Sequence, residues 1–213
     1  MEHYHQWHTK TIGKRTVESL NRNQFDAKFF DHLADATTHI CNQIKPGMKI
    51  AFGGSMTIRS MEIREKARAL GAILIDHGNP ELNDEEKLET MRQELTSDIF
   101  ICSSNAITTE GTLINVDGYG NRVAAMIFGP RKVIVVAGIN KVVKDEAAAF
   151  ERIEQLAAPM NMKRLERETP CTHDGICHNC QSAARGCRAY TIIRKRPVHT
   201  PTEVLIIDEP LGM

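Results

Sequence analysis

Two short apolar runs, Ile99–Cys102 and Lys132–Ala137, constrain the fold of this chain more than any other feature. Each is continuous rather than alternating and too short for a helix, the pattern of a strand covered on both faces. The second is dominated by β-branched residues, which favour the pleated conformation. Strands of this kind belong to parallel sheets sandwiched between helices. Between the runs lies a polar segment punctuated by glycine. There Thr112–Asp117 and Arg122–Phe128 read as a hairpin closed by Gly118, Tyr119, Gly120 and Asn121. Ser103, Ser104, Asn105, Thr108, Thr109 and Glu110 then follow the end of the first buried strand, the edge at which open α/β sheets bind ligands.

The flanking sequence alternates helix and strand patterns. His8–Asn21 and Phe25–Ile44 read as helices, the second with Phe25, Phe29, Leu33, Ala36 and Ile40 in one apolar stripe. Met48–Phe52 reads as a strand, Gly53-Gly54-Ser55 as a turn, Thr57–Leu70 as a helix and Ala72–Asp76 as a strand. Asn83 with Glu86 forms a capping-box pattern ahead of a helix reaching about Leu95. A last helix runs from about Val142 to Ala158. The expectation is an α/β domain over residues 1–158, with N-terminal helices and a mostly parallel sheet. Residues 159–213 differ in character: a helical Asn161–Glu168, a cysteine cluster, an extended Ala189–Arg194, and a strand at Thr202–Asp208 returning to the sheet, at its edge.

Composition narrows function mainly by exclusion. Lys plus Arg and Asp plus Glu number 27 each, so net charge offers no drive toward nucleic acid or anionic membrane. No apolar run approaches the roughly 18 residues of a membrane span, and the first residues lack the apolar core of a secretory signal. A soluble cytoplasmic protein is expected, with a homo-oligomer left open. In that reducing setting Cys171, Cys177, Cys180 and Cys187, crowded into one short segment, point to metal rather than to disulfides. Cys-x2-Cys lets two thiolates grip one ion from a tight turn, and two further cysteines complete a four-thiolate set. Such a set suits structural zinc or an iron–sulfur cluster, and its spacing matches neither a ferredoxin run nor a zinc ribbon. Cys41 and Cys102 read as core residues.

Two further stretches carry chemistry. Gly53, Gly54, Ser55 and Thr57 leave a strand and open a helix, a turn that can offer backbone N–H groups and hydroxyls to an anion. The spacing is neither a dinucleotide fingerprint nor a P-loop, and a plain tight turn explains it equally well. Glu110, between Thr109 and Gly111-Thr112, is a carboxylate that could serve as nucleophile or general base, with a solvated loop acid as the simpler reading.

The Gly53-Gly54-Ser55 turn, the strand beginning at Asp98, the Thr109-Glu110-Gly111-Thr112 motif and the run from Gly129 through Val136 together resemble the LUD (lactate utilization) domain, from about Phe25 to Val143. The cysteine tail is similar to that of a subgroup of the family. The resemblance implies a three-layer α/β/α sandwich of the NagB/RpiA/CoA-transferase-like kind, and a link to oxidation of lactate or related organic acids. It also implies iron–sulfur oxidoreductase subunits as partners, and a [4Fe-4S] cluster on the four cysteines, with zinc as the alternative. An accessory or electron-transfer component is the leading expectation. The alternatives are an isomerase or acyl/CoA-transfer enzyme with structural zinc, and a non-catalytic module that senses a small anion. In the wider superfamily the turn after the first strand and a loop glutamate contribute to substrate sites, and Gly53, Gly54, Ser55 and Glu110 are the matching positions. Around them Thr57, Asn105, Thr109, Gly111 and Thr112 complete the expected ligand-binding set, with Glu110 as catalyst.

Overall fold

The computed structural model describes residues 1–213, the Glu2 side chain excepted. In chain order its strands are β1 (Asp26–Phe30), β2 (Lys49–Phe52), β3 (Ile73–Ile75), β4 (Ile99–Cys102), β5 (Ala106–Thr108), β6 (Leu113–Asp117), β7 (Val133–Gly138), β8 (Val142–Val143), β9 (Ala189–Ile193) and β10 (Thr202–Ile207). The helices are α1 (Glu2–Arg22), α2 (Leu33–Cys41), α3 (Met56–Arg59), α4 (Ile63–Ala69), α5 (Asp84–Glu94), α6 (Asn121–Ile127), α7 (Glu146–Arg152), α8 (Ala158–Arg164) and α9 (Cys171–Asp174). A π-helical turn, Ile153–Ala157, joins α7 to α8.

Six strands pair in parallel in the order β1-β10-β7-β4-β2-β3. The continuous apolar runs have the predicted cause: successive side chains leave a strand on opposite faces, and both faces are covered. Phe100 and Cys102 of β4, Val133, Val135 and Ala137 of β7, and Val204 and Ile206 of β10 enter one core with Leu20 of α1 and Met126 of α6. Ile99, Ile101, Ile134, Val136, Leu205 and Ile207 enter the other, against Ile40 of α2 and Ile63 of α4. The result is a three-layer α/β/α fold. A smaller sheet, ordered β8-β5-β6-β9, is attached to the first core through Ile107, Leu113 and Ile193.

Several local expectations change. Phe25–Ile44 is not one helix. Phe25 and Ala27 are buried on alternate positions, a strand period, and β1 runs there before α2 begins at Leu33. The hairpin is β5–β6, turned at Thr109–Thr112, and Arg122 lies on α6, which starts after Gly120 in a left-handed conformation (φ +85°). Thr57–Leu70 divides into α3 and α4, with Glu62 at positive φ between them. Val142–Ala158 comprises β8, α7 and the π-turn. β10 is not at the edge: it inserts between β1 and β7, so the cysteine-rich tail returns to the centre of the sheet. The capping box at Asn83 and Glu86 forms as read.

Candidate functional site

After β2 the chain passes to β3, on one side of the sheet, whereas after β4 it passes toward β7, on the other. The adjacent carboxyl ends of β2 and β4 therefore bound a crevice, the switch point at which α/β sheets bind ligands. A cavity of about 130 Å³ occupies it. Gly54 and Ser55 line it from the end of β2, Ser103, Ser104 and Asn105 from the end of β4, and Lys141 from beyond β7. Arg164 of α8 and the Gly186-Cys187 pair close it from the tail.

Lys141 is the unusual residue. It is 4% exposed, yet its ammonium meets only hydroxyls: Nζ donates to Thr57 Oγ1 (3.0 Å) and to Ser103 Oγ (2.9 Å). Among the described residues no carboxylate pairs with it. Burial, reinforced by the Arg152 and Arg122 guanidinium charges, pulls its pKa down to about 7. Arg152, itself drawn down by burial, donates to the Asn105 carbonyl (2.8 Å) and the Asn140 carbonyl (3.1 Å) and leaves Nη2 buried without a partner. Arg164 lies half-buried with only Asn161 Oδ1 as acceptor (2.7 and 3.2 Å).

Arg122 is saturated by contrast. It donates to Asp117 Oδ1 (2.6 and 2.9 Å), Asn105 Oδ1 (2.8 Å), Asn115 Oδ1 (2.5 Å) and the Ser103 carbonyl (2.7 Å). It fixes the β4–β5 loop to β6 and contributes field to the cavity rather than a free donor. Gly53 permits this packing, because a Cβ there would lie 3.0 Å from Cys102 Cβ and 3.2 Å from Arg122 Cδ. At the far side of the Gly54 turn His77 pairs through Nδ1 with Glu94, which is 1% exposed and also accepts from Asn121 Nδ2 (3.2 Å). Burial draws the His77 pKa down, but the Glu94 hydrogen bond and charge outweigh it and the net shift is upward. Its Nε2 faces Gly54.

The expected ligand-binding residues separate into two groups. Gly54, Ser55 and Asn105 line the cavity, and Gly53 and Thr57 support it from beneath. Glu110, Thr109, Gly111 and Thr112 form the β5–β6 turn instead. Asn23, just beyond α1, clamps that turn by donating to the Glu110 carbonyl (2.8 Å) and the Gly111 carbonyl (3.1 Å). Gly111 has φ +83°, and a Cβ on it would lie 2.7 Å from the Leu20 nitrogen, so the motif is explained by close docking on α1. The Glu110 side chain is exposed and does not line the cavity. Lys141, Arg164 and His77 were not singled out by sequence reading. The one available signal was the position of Lys141, three residues past a doubly buried strand.

Cys171, Cys177, Cys180 and Cys187 are all free and half-buried. Among the described residues no three His, Cys, Asp or Glu side chains are gathered to hold a metal ion. The four thiols thus do not form a ligand set in this arrangement. Cys171 opens α9, and the irregular loop that carries the other three is fastened by arginines: Arg185 donates to the Cys180 carbonyl (2.7 Å) and the Cys187 carbonyl (2.8 Å), and Arg188 to the Ala183 carbonyl (2.9 Å). Its last cysteine reaches the cavity.

The LUD domain family model matches residues 13–207. A DUF162 family protein from Deinococcus radiodurans, 13% identical, superimposes over 93% of this chain and 98% of its own with a TM-score of 0.53, a likeness of fold. Ribose 5-phosphate isomerase from Plasmodium falciparum aligns over 86% of this chain and 97% of its own at 12% identity and a TM-score of 0.41. The beta subunit of eIF2B from Chaetomium thermophilum covers 54% of this chain and 44% of its own at 18% identity and a TM-score of 0.37. No curated protein matches. No helix is long and apolar enough to cross a membrane among the described residues.

Proposed function

The chain belongs to the LUD (lactate utilization) domain family, and from that premise we propose that it binds a small organic-acid anion at Lys141 as a component of lactate or related organic-acid oxidation. The observation that carries this reading is a buried ammonium without a carboxylate partner, at the switch point of a parallel sheet. Burying an unpaired charge costs several kcal/mol, and two neighbouring guanidiniums raise the cost. An incoming carboxylate offsets it. Arg164, with donors to spare, suits the same anion, and the Ser55 hydroxyl suits a 2-hydroxy or 2-oxo group, whereas Ser104 spends its own hydrogen on the Ala106 carbonyl (2.8 Å). The cavity is smaller than the roughly 300–1,000 Å³ of sites for larger ligands, which favours an acid of a few heavy atoms over a nucleotide or coenzyme A. Acids such as lactate and pyruvate should raise the melting temperature and give saturable heat in calorimetry, and Lys141→Met should abolish both. An unchanged affinity in that variant rejects the site.

The finer role, an accessory or electron-transfer component working with iron–sulfur oxidoreductase subunits, is supported by the family and by the four-thiol donor set alone. A [4Fe-4S] cluster or zinc at Cys171, Cys177, Cys180 and Cys187 requires the four thiols to draw together. Absorption spectra and metal analysis of protein prepared without oxygen test this: iron with sulfide supports the redox role, zinc a staple, and a metal-free protein neither. The isomerase or acyl-transfer alternative has less support, since its proposed acid, Glu110, stands outside the cavity lining.

A further inference from the structure

We propose that Lys141 is a carbonyl-trapping amine, and that the acid it takes is a 2-oxo acid held as an imine. This deepens the anion-binding reading and rests on it. Lys141 lines the cavity, and the Thr57 and Ser103 hydroxyls occupy two of the three donor positions of its Nζ, which leaves one for a ligand. A simple anion anchor has no need of such burial, because an exposed lysine or the nearby Arg164 would serve. A nucleophilic amine needs it: removal from water beside other cations is the recognised way to keep a lysine neutral at ordinary pH. Arg152 and Arg122 supply those cations. Hydroxyls, unlike a carboxylate, orient the nitrogen without holding it protonated. The fall of the pKa to about 7 agrees with this geometry.

In the reaction the Lys141 nitrogen lone pair attacks the ketone carbon to give a carbinolamine. The C–O bond then breaks and a C=N bond forms. Both amine hydrogens depart with the former carbonyl oxygen as one water molecule, so no oxidant or further reactant is required. Thr57 and Ser103 are placed to pass these protons, and the acid's carboxylate is left to Arg164.

The test uses the full chain with pyruvate and cyanoborohydride, which reduces an imine to a stable secondary amine. Peptide mapping should find Lys141 carrying the mass of one pyruvic acid less one oxygen atom, with about tenfold or more label over any other lysine, as expected from its larger neutral fraction at pH 7. Lactate, an acid without the ketone, should protect Lys141 from label. Pyruvate that raises the melting temperature but leaves Lys141 unlabelled, or labels it no more than surface lysines, overturns the imine and leaves a plain anion site. If neither acid shifts the melting temperature and no label appears, the anion site falls with it.

Discussion

A lysine buried without a counter-charge is a liability to the fold, and Lys141 makes the liability measurable. Its folded pKa of about 7 lies below the ordinary 10.5. Between those values the unfolded chain binds more protons than the folded one, so this residue makes stability rise with pH through that window. Below pH 7 both states are protonated and the burial cost is fully present. Lys141→Met removes the cost and approximates the volume. It should raise the unfolding free energy by about 1–3 kcal/mol at pH 6, with the gain shrinking as pH approaches 10. Urea unfolding of both proteins at three pH values checks this, and a variant less stable at pH 6 contradicts it. A substitution that strengthens the fold while abolishing ligand binding is the signature of a functional site. Little of this is legible in the sequence, where the position of Lys141, three residues past a doubly buried strand, is the one signal. Its burial depends on α3 bringing Thr57 from one side and β4 bringing Ser103 from the other.

At the scale of elements, β10 shows what local pattern can and cannot tell. The run Val204–Ile207 is readable as a buried strand, but its neighbours are set by the whole sheet, and it pairs with β1 and β7 rather than lying at an edge. Phe25–Ile44 failed for a related reason, because Phe25 and Phe29 fit a helical spacing and an alternating one alike. Arg122–Phe128 has the pattern of a hairpin strand, yet Val123, Ala125 and Met126 are the buried face of a helix. Because β10 is central, a chain ending before Thr202 should fail to fold, seen as lost far-UV helical signal. Glu203 at its start is 1% exposed and accepts from Lys132 (2.8 Å), His39 (2.5 Å), Lys28 (3.0 Å) and Gln43 (3.0 Å). Burial pulls its pKa up, but these donors outweigh it and bring it down to about 2. Its contribution is therefore present above pH 4.5 and lost as pH falls toward 2. Glu203→Gln should cost about 2–3 kcal/mol at neutral pH and flatten the acid limb of the stability profile. Unfolding at pH 7 and pH 3 distinguishes this from a uniform packing loss.

Across the whole molecule, the cavity joins parts of the chain that the sequence keeps apart. The turn after β2 and the loop after β4 both read as ligand sites from sequence, the first because it leaves a strand and opens a helix, the second because it follows a doubly buried strand. Their union with Arg164 and the cysteine loop is not legible there, because it depends on the tail returning through β10 and setting Gly186 and Cys187 against the cavity on the way. That loop has little regular structure, so its backbone carbonyls need other donors, and Arg185 and Arg188 supply them. Arg185→Ala removes the guanidinium that ties Asn179, Cys180 and Cys187 together. The loop lies outside both faces of the main sheet, so the melting temperature should change little. Limited proteolysis should instead cut within residues 175–188 much faster than in the parent. Gly186 and Cys187 wall the cavity, so loosening them should also weaken organic-acid binding, by about tenfold if one ordered wall is worth near 1.4 kcal/mol. Ligand should in turn slow the cleavage of the parent, because a filled cavity favours the closed loop. Cleavage unaffected by ligand, with affinity unchanged in Arg185→Ala, would separate the tail from the site and leave the cavity to the strand ends and Lys141 alone.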